Sequence, residues 1–178
     1  WLDTDVEFGT PRANMTVGFL TPNGLLGAAD RAQAWLYQRL VNDALSATIY
    51  PAYLAGLGYS IDVADSGFAI SVSGYQDKQM ALLDTVAQKL LNAEISTDRF
   101  ITIKASLIKD WRNSRKDKPY EQALGALNDT LLSASWSADT LADALEPITV
   151  EGLLQWRFDQ FQDVGVIAAL HGNVTASE

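Results

Sequence analysis

One histidine, His171, and no cysteine stand among the 178 residues of this sequence, and that count limits the chemistry on offer. A hydrolytic zinc site without thiolates needs about three histidine or carboxylate ligands, commonly two histidines one helical turn apart, with a carboxylate to take the proton of the attacking water. His171 alone completes neither H-E-x-x-H nor the inverted H-x-x-E-H, and a Ser/His/Asp arrangement would have to be built around the same ring. It reads as a structural residue at a strand end, with Gly172 giving a turn. The missing cysteines also exclude a disulfide framework and a thiol nucleophile, and leave the redox compartment open.

Three sets of charged residues invite a functional reading. Asp3, Asp5 and Glu7 alternate as on one face of a strand; near a chain end they read as a solvated edge strand that discourages aggregation rather than as a metal site. Asp62 and Asp65 flank a turn, where turn chemistry accounts for Asp65 and no calcium-loop spacing follows. Between Lys109 and Lys118 five cations (Lys109, Arg112, Arg115, Lys116 and Lys118) face only Asp110 and Asp117. That patch reads as a solvated helix end with cations near the C-terminus, the alternatives being docking to an acidic neighbouring domain or binding of a polyanion. Neither G-x-x-x-x-G-K-[ST] nor G-x-G-x-x-G occurs, so no nucleotide cradle is predicted. Asn173-Val174-Thr175 matches a glycosylation acceptor, a pattern common by chance. No catalytic, cofactor-binding or metal-ligating residue is assigned to the chain.

Composition narrows the class further. A formal net charge of -9 argues against nucleic acid as a partner, since a phosphate backbone is held by clustered Lys and Arg. No stretch approaches the roughly 20 apolar residues of a membrane helix. The hydrophobic content of 48% suits an ordinary globular core, and one domain over residues 1–178 is expected. Opening on Trp1 without a signal segment, the sequence is expected to be cut from a longer protein.

The elements that would position these residues follow from periodicity. Asn14 to Leu20 alternates with period two and stops at Thr21-Pro22-Asn23-Gly24, a strand and turn. From about Leu25 to Ala47 the spacing becomes helical, and Pro51 should end or kink that long helix. Tyr59, Ile61 and Val63, then Phe68, Ile70 and Val72, form a hairpin through Asp65-Ser66-Gly67, with Ser60, Asp62, Ala69, Ser71 and Ser73 on its other face. Helices must cover the apolar face. Two antiparallel helices carry Leu83, Val86, Ala87, Leu90 and Leu91, then Phe100, Ile103, Leu107 and Trp111, the second capped at Ser96 or Thr97. Pro119 opens a helix bearing Tyr120, Leu124, Leu127 and Leu131, and shorter helices start at Ser137 and Thr149. Val164 to Leu170 reads as a buried strand returning to the sheet. The fold class is therefore α+β, with a mostly antiparallel sheet and helices on one face.

The landmarks Tyr50, Leu54-Ala55-Gly56-Leu57-Gly58-Tyr59, Gly67-Phe68, Gly74-Tyr75-Gln76-Asp77-Lys78 and Asp98-Arg99-Phe100 with Lys104 form an ordered series. It continues through Pro119-Tyr120-Glu121-Gln122-Ala123, Trp136, Leu145 and His171-Gly172-Asn173-Val174-Thr175, and opens with Trp1-Leu2, Asp5, Phe8 and Pro11. The series resembles the insulysin and pitrilysin metallopeptidases over almost the whole chain, specifically the third of their four related α+β domains. The resemblance implies a non-catalytic domain of a zinc metalloendopeptidase whose H-x-x-E-H lies in the first domain and whose two halves close around peptides. Zinc would be held there, and the partners would be the other domains and peptide substrates. The helix from Leu25 to Ala47 would be the counterpart of the motif helix, without its histidines. By the same analogy a stripe such as Tyr37, Leu40 and Tyr53 could touch another domain, although core packing suits it too. The resemblance further implies a bacterial periplasmic enzyme, with cytoplasm also possible. The alternative is an inactive relative serving as a peptide-binding or assembly subunit.

Overall fold

The computed structural model describes residues 1–4, 10–116, 118–132 and 135–172. In chain order the elements are β1 (Leu2–Thr4), β2 (Arg12–Leu20), α1 (Ala28–Leu54), β3 (Gly58–Ala64), β4 (Gly67–Tyr75), α2 (Gln79–Asn92), α3 (Thr97–Asn113), α4 (Pro119–Leu131), α5 (Ala138–Leu145), α6 (Val150–Phe161) and β5 (Gly165–Gly172). The strands make one sheet in the order β1-β5-β2-β4-β3. Among the described residues only the β1–β5 pair is parallel. This is the expected α+β architecture.

Register explains why one face is buried. Because side chains alternate, pairing Val63 with Phe68, Ile61 with Ile70, and Phe19 with Phe68 gathers the apolar positions of β2, β3 and β4 on one side. Phe19, Ile61, Phe68, Ile70 and Val72 are buried there, beneath Leu36, Tyr37, Val41 and Leu45 of α1. The other face carries Ser60, Asp62 and a Thr16–Ser71 hydroxyl pair 3.0 Å apart. α1 packs over β3 and α2 over β4, while α2 and α3 each lean on α1 more than on one another. The centre of the α2 stripe is Leu82, Val86 and Leu90, one helical turn apart. Leu82 completes it, whereas Leu91 is only half-buried.

Pro51 does not end α1. The helix runs on to Leu54 and stops at Gly56, whose φ is 78°. There the Leu57 amide donates to the Ala52 carbonyl at 3.0 Å and the Gly56 amide to Tyr53 at 3.0 Å, the paired closure that a left-handed residue after a helix provides. Pro51 removes one internal donor without blocking the last turn. Both short helices begin where their caps predict: the Ser137 hydroxyl accepts from the Thr140 amide and the Thr149 hydroxyl from Gly152.

One expectation about coverage fails here. β5 enters the sheet but is not buried: the helices sit over β4 and β3, so Val166 on the helix side is 60% exposed and Ile167 on the other side 58%. Gly172 is the last residue of β5 and has φ 141°, where a Cβ would stand 2.5 Å from the Arg12 carbonyl; the turn expected there involves residues outside the described ones.

Candidate functional site

The single histidine sits on β5, beside the edge strand β1. Register sets Asp3 beside His171 across β1 and β5, and the Nδ1 atom lies 2.9 Å from the Asp3 carboxylate, both side chains largely in solvent. Two exposed donors do not make a tetrahedral zinc site, and no group of three or more His, Cys, Asp or Glu is gathered among the described residues. α1 offers no histidine. Among the described residues the donor set therefore does not fit zinc. Asp5 and Glu7 of the alternating carboxylates, Phe8 of the landmarks, Asp117 of the basic patch, and Asn173 to Thr175 lie outside the described residues.

Asp65 does more than shape its turn. Its carboxylate pairs with Arg31, whose side chain is nearly buried, and its carbonyl accepts from the Leu25 amide at 2.6 Å, so the hairpin tip is tied to the start of α1. Asp62 accepts from the Ser60 hydroxyl at 2.8 Å. Sequence periodicity gave no sign of the Arg31 pair, because the two residues lie 34 positions apart.

The two arginines of the basic patch are paired with acids, while Lys109, Lys116 and Lys118 are exposed. Arg112 binds Asp139, Asp143 and Glu146, and Arg115 binds Asp139 at 2.8 Å, so α3 and the turn that follows it are both tied to α5. Arg39 reaches Asp110 at 2.9 Å. Hydrogen bonds from Arg115, and next from Arg112, hold the Asp139 carboxyl below the usual carboxylate range, as Arg99 does for Asp43. The sign follows directly: a lowered folded pKa contributes stability above the unfolded value of about 3.9, and that contribution is lost as pH falls through the folded value. Denaturation midpoints measured from pH 6 to pH 3 should drop below about pH 4, less steeply at 1 M salt, where exposed pairs are screened. An acid limb unchanged in R112Q/R115Q would sink this assignment.

The predicted stripe of Tyr37, Leu40 and Tyr53 divides: Tyr37 and Leu40 are core residues, and Tyr53 is 71% exposed. α4 departs furthest from expectation. It covers no part of the sheet and buries no residue, and Tyr120, Leu124, Leu127 and Leu131 are all more than half exposed. The apolar surfaces of β5 and α4, with Tyr50, Tyr53 and Leu54 at the end of α1, are the features left for function once catalytic groups are accounted for.

Residues 1–144 match the model for the middle or third domain of peptidase M16. The chain belongs to this family. Human insulin-degrading enzyme is 31% identical to this M16 middle domain over 175 residues, covering 98% of the chain and 17% of the relative. The chain thus spans about a sixth of the length of that relative. The crystal structure of pitrilysin superposes with a TM-score of 0.88 at 19% identity, over 98% of this chain and 19% of that one. A peptidase M16 inactive domain from Pseudomonas fluorescens gives a TM-score of 0.67 at 14% identity, over 99% and 44% of the two chains.

Within the M16 middle domain the landmark residues have structural reasons. Arg99 grips Asp43 of α1, Phe100 enters the core, and Lys104 donates to the Glu146 and Ile148 carbonyls at 2.8 and 2.6 Å, closing the end of α5. Burial lowers the Lys104 pKa, against the pull of Glu146. Gly74, at φ 127°, lets the Gly56 carbonyl approach where a Cβ would stand 2.4 Å away. Buried Gln79 then donates to the Ala13 and Gly74 carbonyls at 2.6 and 2.8 Å.

Proposed function

We propose that residues 1–178 form one non-catalytic domain of a zinc metalloendopeptidase of the insulysin and pitrilysin type, which degrades peptides in an enclosed chamber. The domain contributes chamber wall and contacts to the other domains of the same polypeptide. No catalytic, cofactor-binding or metal-binding residue belongs to this chain, and zinc is held in the first domain of the parent enzyme. The observation that carries the reading is a pairing of facts. The chain has the fold of a pitrilysin segment, yet its long helix α1 lacks histidine and its one imidazole is exposed beside a single carboxylate. Uncovered apolar side chains on α4 and β5 support a role in contacts. Partners are other domains and peptides, with neither nucleic acid nor membrane. A bacterial, periplasmic setting is in keeping with the likeness to pitrilysin, with cytoplasm as the alternative, and the relative described above is human.

Metal content and peptidase activity should be measured on the 178-residue chain with added zinc, beside the full-length protein. Stoichiometric zinc and chelator-sensitive cleavage are expected in the full-length protein alone. Cleavage by the isolated chain would overturn the proposal. If neither species cleaves, the chain belongs to an inactive relative that binds peptides or supports assembly, a role in keeping with its likeness to an inactive M16 domain.

A further inference from the structure

α4 is amphipathic in the wrong sense for its own domain. Tyr120, Leu124, Leu127 and Leu131 follow at intervals of four, three and four, which places them on one helical face. The opposite side, with Gln122, Gly125, Ala126 and Asp129, lines a cleft of about 440 Å³ whose other wall includes Trp136 and Asp139. The small and polar side thus turns inward and the apolar stripe outward. Leu132, just past the helix, belongs to neither side: it lines a separate cavity with Arg31, Trp35, Trp136 and Leu141.

Local signals start this helix but do not hold it. Pro119 occupies the first turn, the Lys118 amide donates to the Glu121 carboxylate at 3.2 Å, and Gln122 donates to the Arg115 carbonyl at 3.2 Å. Beyond that first turn, α4 shares no broad contact with another element among the described residues. It has 13 residues, at the length where an isolated helix is marginal in water, and Gly125 in its interior has nothing within 4 Å of a built Cβ. Its stability must come from a surface that takes the stripe.

The size of the stripe selects the occupant. Four large apolar side chains fall far short of the roughly 20–30 residues a side of a standard free-standing interface. A second copy would also bring another net charge of -9 to the contact. A linked neighbour faces neither obstacle, because tethering supplies an effective concentration of order millimolar to a small contact. We infer that the outward face of α4 docks into an apolar groove on another domain of the same polypeptide, with Tyr120, Leu124, Leu127 and Leu131 as its anchors. This helix-in-groove contact rests on the reading of the chain as one domain of a larger enzyme.

Hydrogen exchange on the full-length protein, at two protein concentrations, tests it. α4 amides should exchange at least about a hundredfold slower than in an unprotected helix, equally at both concentrations. In Leu124→Glu/Leu127→Glu that protection should vanish while β2 and β4 amides stay protected; if the double variant does not fold, Leu124→Ala should accelerate α4 exchange selectively. Unprotected α4 amides in the wild type would overturn the inference, as would protection that the variants leave intact. Protection that grows with concentration would assign the face to a second copy instead. Zinc content and peptide cleavage measured on the same wild-type sample separate the two claims: an active enzyme with an unprotected α4 loses only the docking, and an inactive protein with a protected α4 loses only the peptidase reading.

Discussion

Tyr37→Ala is expected to cost about 3–5 kcal/mol, the range for truncating a buried aromatic ring and leaving its volume empty. Tyr37 is wholly buried on α1, and its ring meets Phe68 and Trp156 edge to face at 6.3 Å each, with Phe161 tilted at the same distance. It is the residue through which α1, the sheet and α6 share one core. The hydroxyl adds a separate term. It donates to the Leu90 carbonyl at 2.5 Å, one of the last carbonyls of α2 and without a partner inside that helix. Arg157 serves the Ala93 carbonyl beside it at 2.7 Å. Tyr37→Phe keeps the ring contacts but strands a buried acceptor, so it should cost about 1–3 kcal/mol. Urea unfolding of the two variants beside the wild type measures both. A Tyr37→Ala loss under 1 kcal/mol, or a Tyr37→Phe loss equal to it, would show that the ring does not join the layers.

What the residues made legible was what local physics decides. The hairpin from Gly58 to Tyr75 was readable because one period and one two-residue loop fix its register, and α5 and α6 because Ser137 and Thr149 cap them in the order the sequence states. The end of α1 was misread because Pro51 is a louder signal than Gly56, although only the glycine can take the left-handed turn that closes the helix. β5 and α4 were misread for a different reason. Their apolar patterns are those of buried elements, and periodicity says that a face is covered without saying by what. In β5 the residues on both faces are apolar while the chain's own helices cover neither, and in α4 the stripe turns away from the core. The same pattern that misled about burial points to contacts beyond the chain.

The candidate site shows a parallel division. The expectation of no zinc site in this chain rests on one histidine and no cysteine, because ligand number is a property of composition. The fate of the basic patch was not, since the acids that bind Arg112 and Arg115 come from α5, more than 20 residues further on. Only the packing of α3 against α5 brings the two sets together. Two arginines of a cluster of like charge in sequence thus became a clamp in the fold.

Gly67→Ala should be among the most damaging single-atom-scale changes in the chain, at about 3 kcal/mol or more. Gly67 opens β4 at the hairpin turn with φ 139°, a conformation that L side chains rarely adopt. The space is closed as well as the torsion: a Cβ there would stand 2.1 Å from the Phe19 carbonyl oxygen and 3.0 Å from the Thr21 amide. Both are backbone atoms of β2 and its turn, so no side-chain rotation relieves the clash. The strand could yield only by moving away from β2, and that would disturb the neighbouring Thr21 amide bond to Ser66 at 2.9 Å, the Leu25 bond to Asp65, and the Arg31–Asp65 pair that ties the tip to α1. Gly165→Ala is the matched control, since a Cβ there would first meet the Leu20 side chain at an ordinary 3.5 Å. Urea midpoints should separate the two variants widely. Equal midpoints would mean that the hairpin tip accommodates a side chain, and the close approach of β4 to β2 at this point would then not be what fixes the hairpin against the sheet.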